Sequence, residues 1–313
     1  MKFNLSPIIL FVYNRPWHTE KTLKAIMANT LSNESVLYIY SDGPKSNATS
    51  TEIDQINNVR EIIKKQKWCK KVFIIEREEN IGLAQNILSG VTEIIKKYGT
   101  VIVLEDDIVT SKFFLEYMNK SLQYFKNNDR VFHINGYNNE SNLQFLLKDI
   151  YFMNFMNCWG WATWEDRWDK LNLSYEYFYN KLEENKKVLK KFDYKFTFSG
   201  RLQLKDNLEK KIQTWAVLWY STVFFNNGLC LTPKKSLVNN IGMDGSGIHC
   251  EESLFHKKPI FNSNNKIDLN FKKIALSETF LSRLHLKLFL EYGSKFIVKD
   301  FLLKKISKLK LFK

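Results

Sequence analysis

The stretch VIVLEDDIVT, residues 101–110, places three acidic residues directly after an apolar run. Val101–Leu104 is rich in β-branched residues, which is typical of a buried strand. Glu105, Asp106 and Asp107 follow at once. Neighbouring carboxylates repel one another and are costly to bury unpaired, so they need a cation or hydrogen-bond donors. The stretch predicts a core strand that ends in a cation-binding turn, with a solvated turn or the N-cap of a following helix as the alternative.

Strand and helix patterns alternate through the first 140 residues. The apolar runs that predict strands are Pro7–Tyr13, Val36–Tyr40, Val72–Ile75 and the run before the acidic triplet. The segments that predict helices are Pro16–Asn29, Thr51–Lys67, Gly82–Tyr98 and Thr110–Lys126. This alternation is typical of an α/β fold with a doubly wound, mostly parallel sheet and a Rossmann-like nucleotide-binding half.

The pattern is less regular after residue 130. It predicts strands at Val131–Asn135, Ile150–Phe155 and near Gly228–Thr232, and a helical stretch around Leu182–Lys191. An aromatic cluster, CWGWATWEDRW, occupies residues 158–168. This half of the chain is therefore expected to be a mixed extension of the same sheet.

Polar residues follow three of the predicted strands. Arg15 comes after the first strand, Asp42 after the second, and the acidic triplet after the fourth. The carboxyl ends of parallel strands meet at one edge of a sheet, and ligands of doubly wound folds bind beyond that edge. We therefore expect these three segments to converge on one site.

The chain has 313 residues, 44% of them hydrophobic, and a formal net charge of +14. Residues 280–313 contain eight Lys and one Arg against two acidic residues, interleaved with Leu, Phe and Ile. A basic amphipathic tail of this kind is typical of peripheral contact with an anionic membrane, with a helix packed on the domain as the alternative. A nucleic-acid-binding protein would also explain the charge, but no nucleic-acid motif accompanies it, so we expect no nucleic-acid partner.

The apolar run Pro7–Tyr13 is short for a signal peptide and lacks a small-residue cleavage site. No stretch reaches the roughly 18 to 20 apolar residues of a membrane span. We therefore expect a cytoplasmic protein that is peripheral on the inner face of the cell membrane. The four cysteines show no C-x-x-C spacing, which favours reduced thiols over a zinc site or disulfides.

Oxygen ligands in an acidic turn suit a hard divalent ion such as Mn²⁺ or Mg²⁺. Such an ion bridges the phosphates of a nucleoside diphosphate and neutralises charge as they depart. Asn80 and Gly82 precede a predicted helix, whose N-terminal amides favour a negative charge. Asn80 is thus a candidate for binding the nucleotide, and an N-cap is its alternative role.

Five segments carry a family resemblance when they are taken in order: PIILFVYNRPWHTEKTLKAI, IYSDGP, ENIGLAQNILSGV, TVIVLEDDIVTSKFFLEYM and WGWATW. With them the chain resembles GT-A-fold bacterial polysaccharide glycosyltransferases. More distantly it is similar to the alpha-1,3-mannosyl-glycoprotein beta-1,2-N-acetylglucosaminyltransferase family. The resemblance covers about residues 7–250, and the Glu-Asp-Asp triplet is its most specific part.

The resemblance implies a role for each residue of the triplet, which is the local form of an Asp-x-Asp motif. Asp107 would coordinate the metal, Asp106 would face the ribose, and Glu105 would reach toward the donor sugar. Arg15 would lie beside the nucleotide base, and Asp42 would help to hold that base. An exposed guanidinium before a helix is the alternative for Arg15.

His249 lies in the turn-rich stretch at residues 239–250. Many GT-A enzymes use a C-terminal histidine as a second protein ligand to the metal, so the resemblance makes His249 a metal ligand. A loop histidine that bonds the backbone is the alternative. The other four histidines, His18 among them, are expected to be structural or surface residues.

An inverting transferase requires one carboxylate as general base for the acceptor hydroxyl. The related N-acetylglucosaminyltransferase carries its base in a Trp-Asp-Asp-Trp segment, whereas the nearest stretch here, residues 215–219, has no carboxylate. The base therefore cannot be carried over, and Asp166 and Asp244 are the catalytic candidates. For Asp166 the alternative is an ordinary acidic residue at a helix start.

The aromatic cluster offers one candidate for sugar contact. Sugars present apolar C–H faces that pack on indole rings, so Trp159 is expected to line the donor or acceptor pocket. Trp161, Trp164 and Trp168 have helical spacing and are expected to pack in the core.

With these features, the resemblance implies a metal-dependent hexosyl- or N-acetylhexosaminyltransferase. Its donor is expected to be a UDP-sugar, UDP-GlcNAc first, and its acceptor a saccharide or lipid-linked saccharide of surface polysaccharide or lipopolysaccharide synthesis, with inversion. We expect a GT-A domain at 1–275, with a nucleotide-sugar half at 1–135 and an acceptor half at 136–275, and a helical tail at 276–313. A nucleotidyltransferase of related fold is the nearest alternative, although the glycine-rich signature expected after its first strand is absent from NRPWHTEKT.

Overall fold

The computed structural model describes residues 4–138, 144–194, 198–244, 261–288 and 290. Strands in this part of the chain are β1 (Ile8–Val12), β2 (Val36–Ser41), β3 (Lys71–Glu76), β4 (Thr100–Glu105), β5 (Ile108–Thr110), β6 (Val131–Asn135), β7 (Ile150–Met153), β8 (Trp161–Trp164), β9 (Leu229–Pro233) and β10 (Val238–Asn240). Its α-helices are α1 (Pro16–Met27), α2 (Ser50–Lys64), α3 (Leu83–Tyr98), α4 (Phe114–Tyr124), α5 (Glu165–Trp168), α6 (Tyr175–Glu183), α7 (Lys186–Phe192), α8 (Gly200–Leu208) and α9 (Ala216–Phe225).

Eight strands form one sheet in the order β3-β2-β1-β4-β8-β6-β9-β7. The four strands β3, β2, β1 and β4 are mutually parallel, as are β6 and β9. β8 runs antiparallel to both β4 and β6, and β7 runs antiparallel to β9. The N-terminal half of the sheet is therefore parallel, and the C-terminal half extends it with mixed strand directions.

Side chains alternate along β1 between two hydrophobic layers. Ile8, Leu10 and Val12 pack with α1, α2 and α4, whereas Ile9 and Phe11 pack on the other face with α3. All five β1 residues are buried, as expected for a parallel strand covered on both faces. The predicted α/β fold, a doubly wound and mostly parallel sheet, is confirmed.

Three predicted elements differ from the structure. The helix expected from Thr110 begins at Phe114, because β5 pairs with β10 in a separate two-stranded sheet. The helical stretch around Leu182–Lys191 is split into α6 and α7, because Asn185 accepts hydrogen bonds from the first amides of α7 and starts a new helix. Trp161 and Trp164 lie in strand β8 and not in a helix.

The first part of the predicted tail packs on the sheet. Residues 280–288 are helical, and within them Ser282, His285 and Leu286 are buried. Glu278 forms a bridge with Phe152 of β7. Residues 291–313, which carry most of the expected membrane contact, lie outside the described residues. Within the described ranges, no helix has both the length and the apolar character required to cross a bilayer.

Candidate active site

Strand order brings Arg15, Asp42 and the acidic triplet to one edge of the sheet. β1 lies between β2 and β4 and is parallel to both, with Val12 opposite Ser41 and Phe11 opposite Glu105. Each polar segment therefore leaves its strand at the same, carboxyl edge. The predicted convergence of these three strand ends is observed.

Arg15 contacts two of the three carboxylates directly. Its Nη2 donates to Asp106 Oδ1 and, at 2.9 Å, to Asp107 Oδ2. Arg15 is the N-cap residue of α1, which begins at Pro16, so the start of the helix fixes the position of the Arg15 backbone. The Arg15 side chain is 17% exposed and those of the two aspartates are less than 10% exposed, so these ion pairs are largely shielded from water.

One guanidinium does not neutralise three carboxylates. Burial, with the charges of Asp107 and Asp106, raises the pKa of Glu105 to about 8. Burial also raises the pKa of Asp106 to about 6, although Arg15 opposes that shift. Among the described residues, no group donates a hydrogen bond to the Glu105 carboxylate. This edge of the sheet therefore keeps an excess of negative charge that a bound cation would relieve.

A loop that follows β10, residues 241–244, lies against the triplet; we name it the Gly242 loop. The pairing of β10 with β5 brings it there, and the Ile241 amide donates to the Asp107 carbonyl oxygen at 2.9 Å. A Cβ on Gly242 would collide with the Asp107 carboxylate and lie 2.7 Å from Arg15 Nη1. Only glycine permits this close approach of backbone to the ion pair.

His18 belongs to the same edge, although it was expected to be a structural or surface residue. Its Nε2 lies 3.0 Å from Oδ2 of Asp244, the last described residue of the Gly242 loop. The His18 side chain is 7% exposed, whereas that of Asp244 is 46% exposed. The signal that points to His18 is its position three residues after Arg15, in the first turn of α1.

Asp42 and Asn80 hold the neighbouring backbone in place. The Asp42 carboxylate accepts hydrogen bonds from the amides of Gly43, Ile81 and Gly82 at 3.0–3.1 Å. Asn80 donates through Nδ2 to the Gly43 carbonyl oxygen at 2.9 Å. The N-cap residue of α3 is Gly82, so the N-cap role considered for Asn80 is wrong. Contact of either side chain with a nucleotide stays a prediction.

Trp159 lies two residues before Trp161, the first residue of β8, which is opposite Val103 of β4. The Trp159 ring is partly buried and meets the Tyr137 ring edge-on, with centroids 4.5 Å apart. The expected packing role of the remaining tryptophans of the cluster is confirmed, since Trp161, Trp164 and Trp168 are each at most 3% exposed.

The structure does not bring Asp166 to this edge. Trp164 is opposite Thr100, because β8 runs antiparallel to β4, so Asp166 follows at the amino end of β4. About 16 Å of strand separates that end from the triplet. There Asp166 binds Arg167 Nη1 through both carboxylate oxygens at 2.6 Å, and its own side chain is 65% exposed. His249 lies outside the described residues.

The donor set fits a hard divalent cation of the kind that also binds phosphate. Within the described ranges, no three His, Cys, Asp or Glu side chains are gathered as a metal site made of protein alone. Mg²⁺-type ions are usually held by one or two carboxylates together with substrate phosphates, which does not require such a cluster. Asp107 would supply the carboxylate, and the uncompensated charge around Glu105 would favour the ion.

No family model and no curated protein matches the chain. Among solved structures, it is similar to mannosyltransferase PcManGT from Pyrobaculum calidifontis in complex with GDP-Man and Mn²⁺, with 11% identity and a TM-score of 0.36 over 53% of this chain and 48% of that one. It is also similar to galactosyltransferase LgtC in complex with donor and acceptor sugar analogues, with 11% identity and a TM-score of 0.36 over 69% and 70% of the two chains. A third is UDP-glucose pyrophosphorylase complexed with UDP-glucose, with 12% identity and a TM-score of 0.30 over 53% and 79%. The chain thus spans about half the length of the mannosyltransferase. These similarities are too low to transfer an activity, which rests on the residues of the site.

Proposed function

We propose that the protein is a metal-dependent glycosyltransferase that moves a sugar from a nucleoside-diphosphate donor to a saccharide acceptor. The observation that carries this proposal is the juxtaposition of Arg15 with Glu105, Asp106 and Asp107 at the carboxyl edge of a parallel sheet. A guanidinium binds phosphate oxygens, and carboxylates bind the cation that phosphates require. The two groups together therefore match a diphosphate–metal ligand better than either does alone.

Asp107 would hold a Mn²⁺ or Mg²⁺ ion, with His249 as a second ligand. When bound, such an ion neutralises the charge that develops on a departing diphosphate. Arg15 would bind the same diphosphate, and Asp106 and Glu105 would face the ribose and the donor sugar. Burial of this edge strengthens each of these electrostatic contacts, because water screens them less.

Asp244 is the carboxylate we assign as general base toward the acceptor hydroxyl. One of its oxygens lies 3.0 Å from the buried His18 ring, and nearly half of its side chain is exposed and accessible to an acceptor. His18 would orient the carboxylate and would not itself contact the acceptor. Trp159 would pack against a sugar face.

The finer assignments complete the proposal. We propose a UDP-sugar donor, UDP-GlcNAc first, an inverting displacement, and an acceptor of surface polysaccharide or lipopolysaccharide synthesis. An inverting displacement requires one carboxylate base, and this is the role proposed for Asp244.

The test is a panel of nucleotide sugars with Mn²⁺, scored for release of nucleoside diphosphate with and without saccharide acceptors. Wild-type protein should release nucleoside diphosphate from one donor, and Asp107→Asn should lose that activity. Asp129→Asn is the matched control, because Asp129 is exposed and lies just before β6 at the opposite edge of the sheet. Release of pyrophosphate in place of nucleoside diphosphate, or full activity in Asp107→Asn, would contradict the proposal.

A further inference from the structure

Arg15 forms an ion pair with the carboxylate of Asp107, which is the group that would bind a metal ion. Its Nη2 bonds Asp107 Oδ2 at 2.9 Å and also bonds Asp106. We propose that Arg15 is an exchangeable counter-ion: it holds Asp107 until a nucleoside diphosphate draws the guanidinium onto its phosphates, and only then does Asp107 bind the cation. This inference rests on the proposed function and adds an order of binding to it.

Charge repulsion prevents the Arg15 guanidinium and a divalent metal ion from binding the Asp107 carboxylate at the same time. A divalent ion on Asp107 Oδ2 would lie within a few ångströms of the Arg15 guanidinium, in a site from which most water is excluded. Like charges repel strongly at that distance. The metal therefore binds weakly unless the guanidinium moves or an anion enters between the two cations. A diphosphate would have both effects, because it attracts the guanidinium and carries the negative charge that separates the two cations.

The Gly242 loop restricts where Arg15 can go. Arg15 Nη1 lies 2.7 Å from the position that a Cβ of Gly242 would occupy, so the loop backbone closes one side of the guanidinium. The two aspartates close another side. The Arg15 side chain is 17% exposed, so solvent reaches part of it. A ligand that enters from solvent is thus the group that Arg15 can follow.

Thermodynamic linkage turns this arrangement into a measurable coupling. If nucleoside diphosphate removes Arg15 from Asp107, it must tighten Mn²⁺ binding, and Mn²⁺ must tighten nucleotide binding by the same factor. Removing the guanidinium should leave the Asp107 carboxylate available to a metal ion before any nucleotide binds. Arg15→Met should therefore bind Mn²⁺ alone at least about fivefold more tightly than wild type, and nucleotide should add less to that affinity.

The test measures bound Mn²⁺ by electron paramagnetic resonance, with and without UDP or GDP. The variants are Arg15→Met, Arg15→Lys and Arg15→Met with Asp107→Asn, and the control is the exposed Arg130→Met at the start of β6. Arg15→Lys retains the positive charge but not the two-carboxylate contact, so it should gain part of the Mn²⁺ affinity. The double variant should lose the gain, and Arg130→Met should match wild type.

Two results would overturn the inference, and they are distinguishable. In the first, Arg15→Met and Arg15→Lys bind Mn²⁺ alone no more tightly than wild type, while wild type binds nucleotide in a Mn²⁺-dependent way. This result would exclude the counter-ion role of Arg15 and leave the proposed function intact. In the second, wild type binds nucleotide with no dependence on Mn²⁺. This result would exclude both the counter-ion role and the proposed function.

Discussion

Replacing Glu105 by glutamine is expected to stabilise the metal-free protein at alkaline pH. The pKa of Glu105 is raised from an ordinary value of 4.5 to about 8 by burial and by its acidic neighbours. Between these two values the folded protein binds a proton more tightly than the unfolded chain. The contribution of Glu105 to stability is therefore full below about pH 4.5 and is lost as the pH rises through about 8.

The size of the effect follows from that shift. Each pKa unit corresponds to about 1.4 kcal/mol, so complete conversion of the shift would be about 5 kcal/mol. Glu105 is partly exposed, so solvent screening reduces the effect, and we expect about 1–3 kcal/mol at pH 9. Glutamine keeps the size of the side chain and removes its charge. The variant and wild type should be equally stable near pH 5.

The assay is urea denaturation from pH 5 to pH 9 in the presence of a chelator. Glu61→Gln is the matched control, because Glu61 lies on the exposed face of α2. The stability of Glu105→Gln should exceed that of wild type progressively above pH 5, and the control should follow wild type. A Glu105 variant that is less stable than wild type at pH 9, or that shows the same pH dependence, would refute the excess of negative charge at this edge.

Three further outcomes are expected. Gly242→Ala should weaken nucleoside-diphosphate binding about tenfold in calorimetry, because relieving the overlap with Asp107 costs about 1–3 kcal/mol; unchanged affinity would show that the loop is not packed on the site. Asp244→Asn should lower kcat about 100-fold or more while donor affinity is kept, and Asp166→Asn should stay within about twofold of wild type; equal losses would exclude the assignment of the base. Arg167→Met should lower the free energy of unfolding by about 3–5 kcal/mol in urea, because the buried guanidinium donates to backbone carbonyls after α4; a loss below about 1 kcal/mol would contradict that role.

Local pattern was enough to locate most of the parallel half of the sheet. The apolar runs of β1, β2 and β4 and the polar residues after them are contiguous in sequence, and parallel pairing places their ends together. The position of the triplet at the carboxyl edge therefore followed from the sequence. The direct contact of Arg15 with Asp106 and Asp107 did not, because it depends on the rotation of α1 against β4.

The remaining features depend on contacts that a linear pattern does not encode. His18 and Asp244 are separated by 226 positions, and only the pairing of β10 with β5 brings the Gly242 loop to α1. The edge of the sheet at which Asp166 lies was not predictable, for a related reason. The direction of β8 decides which edge that residue occupies, and the apolar character of a strand is the same in both directions. Three-residue strands such as β5 are too short for a periodicity to show.

The most direct test of the central claim, that a divalent cation held by Asp107 binds an activated sugar donor, is an anomalous diffraction map. Crystals of the full chain would be soaked with Mn²⁺ and UDP, and data collected at the manganese edge. We expect a single strong peak within coordination distance of a carboxylate oxygen of Asp107 and of the diphosphate. The Arg15 guanidinium should contact the phosphates instead of Asp107. A nucleotide bound at this edge without a manganese peak, or a peak remote from Asp107, would contradict the account.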